Sequence, residues 1–322
     1  MKAIVLKEHG GPEGLELEKR ESLKPGSGEI VVRNAFAGLN FIDIYQRRGL
    51  YPVTLPAVLG GEGAGVVASV GADVTGFKQG DRVAWYGGGG GYAAETLVPA
   101  GMAAKIPAGV SDEIAAATFL KGLTAEMLAR QVYPLKQGDT ALIHAAAGGV
   151  GTLLVQWAKH LGAEVIAVVG SKAKEAVAAG AGADHVIVRE QTDDIAGAAR
   201  AITKGKGVNV VYDSVGAATI TASLDSLAMR GMMVSYGNAS GAVPAFAPLE
   251  LARRGSLFLT RPTLFHYATP GRLQEMAADL FAMLEKGVLK PAAPAVFPLE
   301  KAGEAQALLE TGTTTGSIVL KV

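Results

Sequence analysis

The chain has 322 residues, with 30 basic side chains, 30 acidic side chains and no cysteine. This length predicts about two domains. A composition of 49% hydrophobic and 19% charged residues is typical of folded domains with large cores and excludes a disordered chain. Without cysteine there are no disulfides, thiolate zinc sites, iron–sulfur clusters or cysteine nucleophiles. The zero net charge argues against a general nucleic-acid-binding surface.

We expect no secretory signal among the first residues. The apolar run 3–6 is short and is followed at once by Lys7 and Glu8. The uncharged stretch 140–158 has the length of a membrane span but contains three glycines of a turn and several polar residues. We interpret it as a buried strand, a turn and a helix, and we expect a cytoplasmic protein without a membrane segment.

The region up to about residue 110 is typical of short strands and turns. Apolar runs of strand length occupy 29–33, 65–70 and 82–85, and five consecutive glycines follow at 87–91. We see no long helical period before residue 114. This region predicts a small β-rich barrel or sandwich, in which the glycine loop is either a lid or a long turn.

From about residue 139 strands alternate with helices, which is typical of a parallel sheet covered on both faces. Six strands are predicted at 140–146, 164–169, 184–188, 208–214, 231–237 and 256–260. Helices are predicted near 149–161, 172–180, 193–203 and 218–227. Beyond residue 262 an apolar helix stripe (273–284) and a last strand (317–320) follow, and we expect this segment to rejoin the N-terminal region. The predicted domains are 1–123 with 263–322, and 124–262.

The sharpest motif lies between the first of these strands and its helix. It reads Ala146-Ala147-Gly148-Gly149-Val150-Gly151, which is the dinucleotide fingerprint G-x-G-x-x-G with alanine in the first position. The second glycine lets the backbone approach a pyrophosphate, and the third lets the helix lie close to the sheet. The N–H groups at the helix N-terminus would then bind the phosphates. The alternative is a tight structural turn.

The residues that follow the second of these predicted strands, 164–169, distinguish an NAD site from an NADP site. An NAD site expects a carboxylate at its end for the ribose 2′-hydroxyl. Here the strand is followed by Gly170, Ser171, Lys172, Ala173 and Lys174, without a carboxylate, so we favour NADP. The alternative is that the two lysines are solvated residues of the first helical turn. Residues 213–216 and 235–241 end later strands and would line the ribose and nicotinamide or serve only as capped connections.

Six motifs together resemble a known family. They are residues 38–45 (GLNFIDIY), 59–65 (LGGEGAG), 138–151 (GDTALIHAAAGGVG), 212–216 (YDSVG), 237–241 (GNASG) and 256–262 (SLFLTRP). The chain is similar to the NADPH:quinone oxidoreductases, the zeta-crystallin-like, zinc-free branch of the medium-chain dehydrogenase/reductase superfamily. The resemblance implies an α/β protein with a GroES-like β-rich catalytic domain and a Rossmann domain, whose six-stranded parallel sheet is doubly wound. It also implies a homodimer, and NADPH-dependent reduction of a small-molecule quinone.

The resemblance also implies the site residues. Asn40, Asp43, Tyr45 and Tyr51 match the positions of the family's substrate cleft. The expected NADPH contacts are Asn40, Thr124, Ala147, Gly148, Gly149, Val150, Gly170, Ser171, Lys174, Arg189, Ser214, Gly237, Asn238, Ser240 and Phe258. Two positions depart from the family. Arg189 replaces a tyrosine that helps to hold the adenosine, and Ser317 replaces a lysine found in many members.

No metal site is expected. Gly61 stands where zinc-dependent relatives have histidine, and the five histidines are scattered along the chain. We interpret His144 as a packed residue of the sheet. Hydride transfer then depends on positioning the cofactor against the acceptor.

A quinone needs little acid assistance, so Tyr45 or Tyr51 is expected to bond the acceptor carbonyl, and Asn40 to orient the ring or cofactor. Structural packing is the alternative for both tyrosines.

Two other functions remain open. The same scaffold could reduce a 2-alkenal or an enone, which requires a proton at the α-carbon. A binding role, for RNA or as a structural crystallin, would have to use the basic pairs Arg47-Arg48 and Arg253-Arg254. We interpret these as solvated or interface residues and expect no nucleic-acid partner.

Overall fold

The computed structural model describes residues 1–322, which form sixteen strands and nine α-helices. In chain order the strands are β1 (Lys2–Leu6), β2 (Leu15–Lys19), β3 (Glu29–Leu39), β4 (Ala57–Val58), β5 (Glu62–Val70), β6 (Arg82–Tyr86), β7 (Glu95–Pro99), β8 (Ala103–Lys105), β9 (Thr140–His144), β10 (Glu164–Val169), β11 (His185–Val188), β12 (Val208–Asp213), β13 (Leu227–Ser235), β14 (Phe258–Thr260), β15 (Ala295–Pro298) and β16 (Ile318–Lys321). The helices are α1 (Phe41–Arg47), α2 (Asp112–Glu126), α3 (Gly149–His160), α4 (Glu175–Gly180), α5 (Ile195–Ile202), α6 (Ile220–Ser226), α7 (Leu249–Arg253), α8 (Pro270–Glu285) and α9 (Ala302–Glu310).

The chain divides into two units. The first comprises Met1–Leu123, Ala268–Lys286 and Pro291–Val322, and the second comprises Thr124–Tyr267 with Gly287–Lys290. The sequence predicts a return to the first unit at residue 263, and in the structure the first unit resumes at Ala268. The residues before Ala268 form a turn closed by hydrogen bonds from His266 N–H to the Thr263 carbonyl (3.1 Å) and from Tyr267 N–H to the Leu264 carbonyl (2.9 Å). The helix of the C-terminal segment therefore starts only at Pro270.

The first unit is built on a seven-stranded sheet. Its strand order is β15-β16-β3-β5-β6-β8, with β7 paired to β3, and a separate sheet has the order β2-β1-β4. The last strand, β16, runs antiparallel to β3 and places Ile318 opposite Leu39. Residues from the two ends of the sequence thus complete one sheet.

Alternating apolar residues bury one face of these strands. Ile4, Leu6, Leu39 and Leu320 are fully buried in one cluster, and burial of each such side chain contributes about 1.5–3 kcal/mol. On α8 the predicted apolar stripe is buried: Leu273, Met276, Ala277, Leu280 and Phe281. The N-terminal β-rich prediction and the C-terminal helix prediction are both confirmed.

The second unit contains six parallel strands in the order β11-β10-β9-β12-β13-β14. This is the doubly wound order of dinucleotide-binding folds, and the six-stranded prediction is confirmed. The strands are rich in Val and Ile because both faces are covered. One helix begins later than predicted: Lys172–Lys174 form a 3₁₀ turn, and α4 starts at Glu175.

No helix of the structure combines the length and the apolar character that a bilayer span requires.

Two neighbouring arginines give a test of the packing in the first unit. Arg47 is fully buried and forms an ion pair with Glu310 (2.6 Å), and it also donates to Gln306 Oε1 (2.7 Å). Arg48 pairs with the same Glu310, but its side chain is 62% exposed. Arg47→Met should lower the free energy of unfolding by about 3 kcal/mol or more, because it leaves a partly buried carboxylate without its buried partner.

Arg48→Met is the matched control and should cost less than about 1 kcal/mol. Urea unfolding followed by circular dichroism measures both. Equal losses in the two variants would show that burial of Arg47 does not determine the strength of the pair.

Candidate functional site

A short helix that the sequence analysis missed carries the predicted substrate residues. Helix α1 begins directly after Asn40, whose backbone N–H donates to Asp43 Oδ2 (2.9 Å). A side chain at the third helical position that reaches back to the residue before the helix is half of a capping box. The Asn-x-x-Asp spacing was the available signal, although the helix has only seven residues.

Asp43 lies beneath the site. Its carboxylate is fully buried and also accepts from Gly61 N–H (3.2 Å) and from the Tyr92 hydroxyl (3.0 Å). Burial raises the pKa of Asp43 to about 6, although the hydrogen bonds from Asn40 N–H and the Tyr92 hydroxyl lower it. Because its oxygens are engaged by the protein, Asp43 positions Asn40 and Gly61. The predicted place of Asp43 in the substrate cleft stays a prediction, and its burial favours a positioning role there.

The two tyrosines lie side by side. Tyr45 is buried in α1, and Tyr51 is half-buried in the turn that follows. The backbone N–H of Tyr51 donates to the Tyr45 carbonyl (3.2 Å), and the ring centroids are 5.3 Å apart with the planes tilted by 55°. The structure thus brings Asn40, Tyr45 and Tyr51 together on one helix and its flanks, as the sequence predicts.

A buried ion pair completes this cluster. Glu62, at the start of β5, is fully buried and accepts from Lys121 Nζ on α2 (2.6 Å). The same oxygen, Oε1, accepts from Asn40 Nδ2 (2.9 Å), and Oε2 accepts from Leu120 N–H (2.7 Å). Sequence reasoning did not assign Glu62 or Lys121 a role. The signal was a lone charge within each of two otherwise apolar segments.

The glycine loop 87–91 is hydrogen-bonded to the segment 58–61, which directly precedes Glu62. Gly87 N–H donates to the Gly61 carbonyl (2.9 Å), Gly90 N–H donates to the Val58 carbonyl (2.9 Å), and the Thr96 hydroxyl donates to the Gly90 carbonyl (2.7 Å). These bonds favour the long-turn interpretation of the loop.

In the second unit the fingerprint forms a tight turn between β9 and α3. Ala145 has a left-handed backbone (φ +50°), and its carbonyl accepts from Gly148 N–H (2.9 Å). A Cβ on Gly151 would lie 2.2 Å from the Ala145 carbonyl oxygen, so only glycine lets the helix approach the turn. The N–H groups of Gly149 and Val150, in the first turn of a twelve-residue helix, have no partner within it. This geometry fits a pyrophosphate.

A buried polar cluster lies beside the turn. Asp213, at the end of β12, is fully buried and accepts from Val215 N–H (2.7 Å) and Gly216 N–H (3.1 Å), and from two hydroxyls (both 2.7 Å), those of Thr219 and Ser223. The Ser223 hydroxyl donates its one hydrogen to Asp213 and therefore accepts from His144 Nε2 (2.9 Å).

Burial lowers the pKa of His144. A neutral, fully buried histidine in β9 agrees with the packed-residue interpretation.

The ends of β12 and β13 are joined by backbone hydrogen bonds. Ala239 N–H donates to the Ser214 carbonyl (3.1 Å), and Ser240 N–H donates to the Val215 carbonyl (2.8 Å). The Asn238 side-chain oxygen accepts from Arg261 (3.1 Å). The predicted cofactor residues Ser214, Gly237, Asn238 and Ser240 therefore lie at one edge of the sheet.

The predicted 2′-phosphate residues follow β10. Ser171 precedes the 3₁₀ turn, Lys174 is half-buried and its pKa is lowered by burial, and Lys172 pairs with Glu175. Lys172 N–H also donates to the carboxylate of Glu190 (2.5 Å). Glu190 is not among the predicted residues because it does not follow β10 in the sequence; it comes from the neighbouring strand end together with Arg189.

Two predicted contacts lie apart from these groups. Asn40 belongs to the first unit, whereas the other predicted cofactor residues belong to the second, which begins at Thr124. Phe258 begins the edge strand β14, at its amino end, and is 52% exposed. Ligands bind outside the carboxyl ends of such strands, so this position favours a surface role for Phe258.

No group of three or more His, Cys, Asp or Glu side chains is arranged to hold a metal ion.

The comparisons with known proteins agree with this description. A family model described as the alcohol dehydrogenase GroES-like domain matches residues 26–108, and one described as zinc-binding dehydrogenase matches residues 149–286. The predicted fold class is thereby confirmed.

Individual relatives match over their whole length. The chain is 46% identical to a quinone oxidoreductase of Pseudomonas aeruginosa over 99% of both chains. It is 42% identical to a 2-haloacrylate reductase of a Burkholderia species, over 99% of this chain and 98% of the other. The solved structure of Escherichia coli quinone oxidoreductase complexed with NADPH superimposes with a TM-score of 0.97, at 43% identity and over 100% of both chains. The chain therefore belongs to the zeta-crystallin-like quinone oxidoreductase family of the medium-chain dehydrogenases/reductases.

Proposed function

We propose that this protein reduces quinones with NADPH by hydride transfer that needs no metal. The observation that carries the proposal is the turn between β9 and α3, whose geometry fits the pyrophosphate of a dinucleotide. Quinone oxidoreductases that match the chain from end to end, one of them complexed with NADPH, support the choice of substrate and cofactor.

The second unit holds the proposed cofactor. The N–H groups at the start of α3 would bind the pyrophosphate, with Ala147 and Gly148 in the turn. Gly170, Ser171 and Lys174 would surround the 2′-phosphate, where a lysine ammonium is a suitable partner for a phosphate. When bound, the cofactor supplies a hydride from C4 of its nicotinamide ring.

Arg189 lies at the end of β11, next to the strand that Lys174 follows. We propose that it contacts the adenosine or its phosphate in place of the family's tyrosine. Ser214, Gly237, Asn238 and Ser240 would line the path toward the nicotinamide, and Thr124 would contact the ring.

The first unit supplies the proposed acceptor contacts. A tyrosine hydroxyl of Tyr45 or Tyr51 would donate to the quinone carbonyl, and Asn40 would orient the reactants. A reduced quinone is a stable anion, so a site with few acids suffices for this acceptor. The metal-free mechanism follows from the residues: the chain has no cysteine, and glycine occupies position 61.

Reduction of a 2-alkenal or enone is the second candidate function. It is favoured by the 42% identity to a 2-haloacrylate reductase. A steady-state comparison of 1,4-benzoquinone, 9,10-phenanthrenequinone and 2-alkenals with NADPH separates the two reductase functions.

An RNA-binding role is disfavoured because the two arginine pairs considered for it are engaged by acids: Arg47 and Arg48 by Glu310, and Arg253 and Arg254 by Glu250.

We also propose a cytoplasmic homodimer. The edge strand β14 has unpaired backbone groups on its outer side, and apolar residues around it are exposed: Met229 (80%), Leu249 (56%) and Phe258 (52%). Exposed apolar groups at an open sheet edge favour pairing with a second copy.

The cofactor proposal is tested with Lys174→Met. Loss of the ammonium should raise the Kd for NADPH by about 10- to 100-fold, since a hydrogen bond to a charged group contributes about 1.5–3 kcal/mol. The Kd for NADH should not change. Fluorescence titration with both cofactors measures the two constants. Lys172→Met, which removes an ammonium paired with Glu175, is the control and should bind NADPH like the wild type. An equal loss for NADH would contradict a 2′-phosphate contact.

The acceptor proposal is tested with Tyr45→Phe, Tyr51→Phe and the double variant. Removal of the hydroxyl that bonds the carbonyl should lower kcat/KM for 1,4-benzoquinone by about tenfold, the effect of roughly 1.4 kcal/mol. Tyr133→Phe, a half-buried tyrosine of the other unit, serves as control. The tyrosine proposal fails if all three variants keep the wild-type kcat/KM.

The dimer proposal is tested with Phe258→Glu. A charge at the edge of the sheet should convert the protein to a monomer, because edge strands resist pairing when they carry charges. Sedimentation equilibrium gives the mass. Leu97→Glu changes an exposed leucine on β7 of the first unit and should leave the dimer intact. A wild-type monomer, or a Phe258→Glu dimer as stable as the wild type, would contradict the proposed interface.

A further inference from the structure

The ammonium of Lys121 is buried with too few partners. Its side chain is 7% exposed, and the structure gives it one acceptor, Glu62 Oε1, at 2.6 Å. An ammonium has three N–H donors, so two have no acceptor within the protein. Buried donors without partners are costly and rare in folded proteins. The unfilled donors therefore point to a ligand that supplies acceptor atoms.

The position of Lys121 identifies the ligand. Asn40 Nδ2 donates to the same oxygen of Glu62 (2.9 Å). The carboxamide of Asn40 and the ammonium of Lys121 therefore share one acceptor atom and lie close together. Asn40 is the residue that the proposed function assigns to the reactants, and the inference rests on that function. A group that contacts Asn40 lies within reach of Lys121 as well.

The pair is held rigidly. Glu62 lies opposite Gly38 in the register of β3 and β5. A Cβ on Gly38 would stand 2.3 Å from Glu62 Oε1 and 2.4 Å from the Ala116 carbonyl oxygen of α2. Only glycine at this position leaves room for the carboxylate between the strand and the helix. The carboxylate that holds the ammonium thus occupies a space that only glycine at position 38 leaves open.

We propose that Lys121 is a catalytic residue that donates a hydrogen bond, and then a proton, to the oxygen of the acceptor. Hydride addition reduces the quinone or enone by two electrons and places negative charge on its oxygen, while NADPH is oxidised to NADP⁺. An O–H bond then forms as one N–H bond of Lys121 breaks. The resulting neutral amine recovers its proton from water.

The charges around the site explain why the oxygen of the reduced acceptor needs a proton. Asp43 and Glu62 are both buried carboxylates, and Asp43 interacts electrostatically with Glu62 and with Lys121. New negative charge beside two carboxylates is unfavourable, and the Lys121 ammonium offsets it. An enolate is a stronger base than a hydroquinone anion, so the enone reaction depends more on this proton. The enol that forms from an enone then tautomerises in water, which places the proton on the α-carbon.

The test uses the full-length protein with Lys121→Met, Lys121→Arg and the charge-balanced double variant Lys121→Met/Glu62→Gln. The double variant avoids an unpaired buried carboxylate and so remains informative if Lys121→Met does not fold.

Both variants without the ammonium should lose about 100-fold in kcat/KM for a 2-alkenal, the usual contribution of a general acid. For 1,4-benzoquinone the loss should be about tenfold, because the hydroquinone anion needs less assistance. Lys121→Arg should be intermediate, because it retains the charge but is a poor proton donor.

Lys105→Met is the matched control. It removes an exposed lysine of the same unit that pairs with Asp81 (2.9 Å), and it should behave like the wild type. The Kd for NADPH, measured by fluorescence, should stay within about threefold of the wild type in every variant. Binding of 4-nitrophenol with NADP⁺ gives a readout without turnover. The wild type should lower the pKa of the bound phenol, visible in its absorption spectrum, and the double variant should not.

Two results would overturn the proposal. Folded variants that keep the wild-type kcat/KM for both acceptors would make the ion pair purely structural, and a selective loss of NADPH binding would make Lys121 a cofactor contact. Wild-type activity tests the proposed function separately. If the wild type reduces neither acceptor, the proposed function and the inference fail together. If it is active and the Lys121 variants match it, only the inference fails.

Discussion

The carboxylate of Glu62 is completely removed from water, and such a group is stable only when hydrogen bonds within the protein replace its hydration. Three donors meet this requirement, and they come from two segments far apart in the chain: Asn40 before α1, and Leu120 and Lys121 at successive positions of α2. Because the donors must converge on one group, the start of α1 and the middle of α2 are fixed relative to β5. The positions of Tyr45 and Tyr51 follow from the start of α1.

In the second unit a buried carboxylate is stabilised by neutral donors. Asp213 is also fully buried, yet its hydrogen-bond partners are two backbone N–H groups and two hydroxyls, without a lysine or arginine. Its charge shapes the loop that carries Ser214 and keeps His144 on the hydroxyl of Ser223. In each unit a buried carboxylate thus fixes a segment that carries predicted site residues. Only in the first unit is one of its donors a proton source.

The sequence predicts well those elements that form because of residues close together in the chain. Continuous Val and Ile runs separated by helices predict the six parallel strands, and the spacing of glycines after β9 predicts the turn that fits a pyrophosphate. The missed features depend on partners far apart in the chain. Glu62 and Lys121 meet only because β5 packs against α2, and Glu190 approaches Lys172 only because β11 pairs with β10. A lone lysine in the apolar face of α2 predicts that some carboxylate is near, but periodicity does not identify which one.

The acceptor range of such a site depends on the proton more than on the hydride. The cofactor delivers the same hydride to a quinone and to an enone, whereas the anions that result differ in basicity. Tyrosine hydroxyls are weak acids and assist a stable anion by hydrogen bonding alone. The Lys121 ammonium held by Glu62 adds a positive charge beside the new anion, and its neutral form can be reprotonated between turnovers. A scaffold that combines both kinds of donor can therefore serve either acceptor, and the basicity of the reduced product decides how far each reaction relies on Lys121.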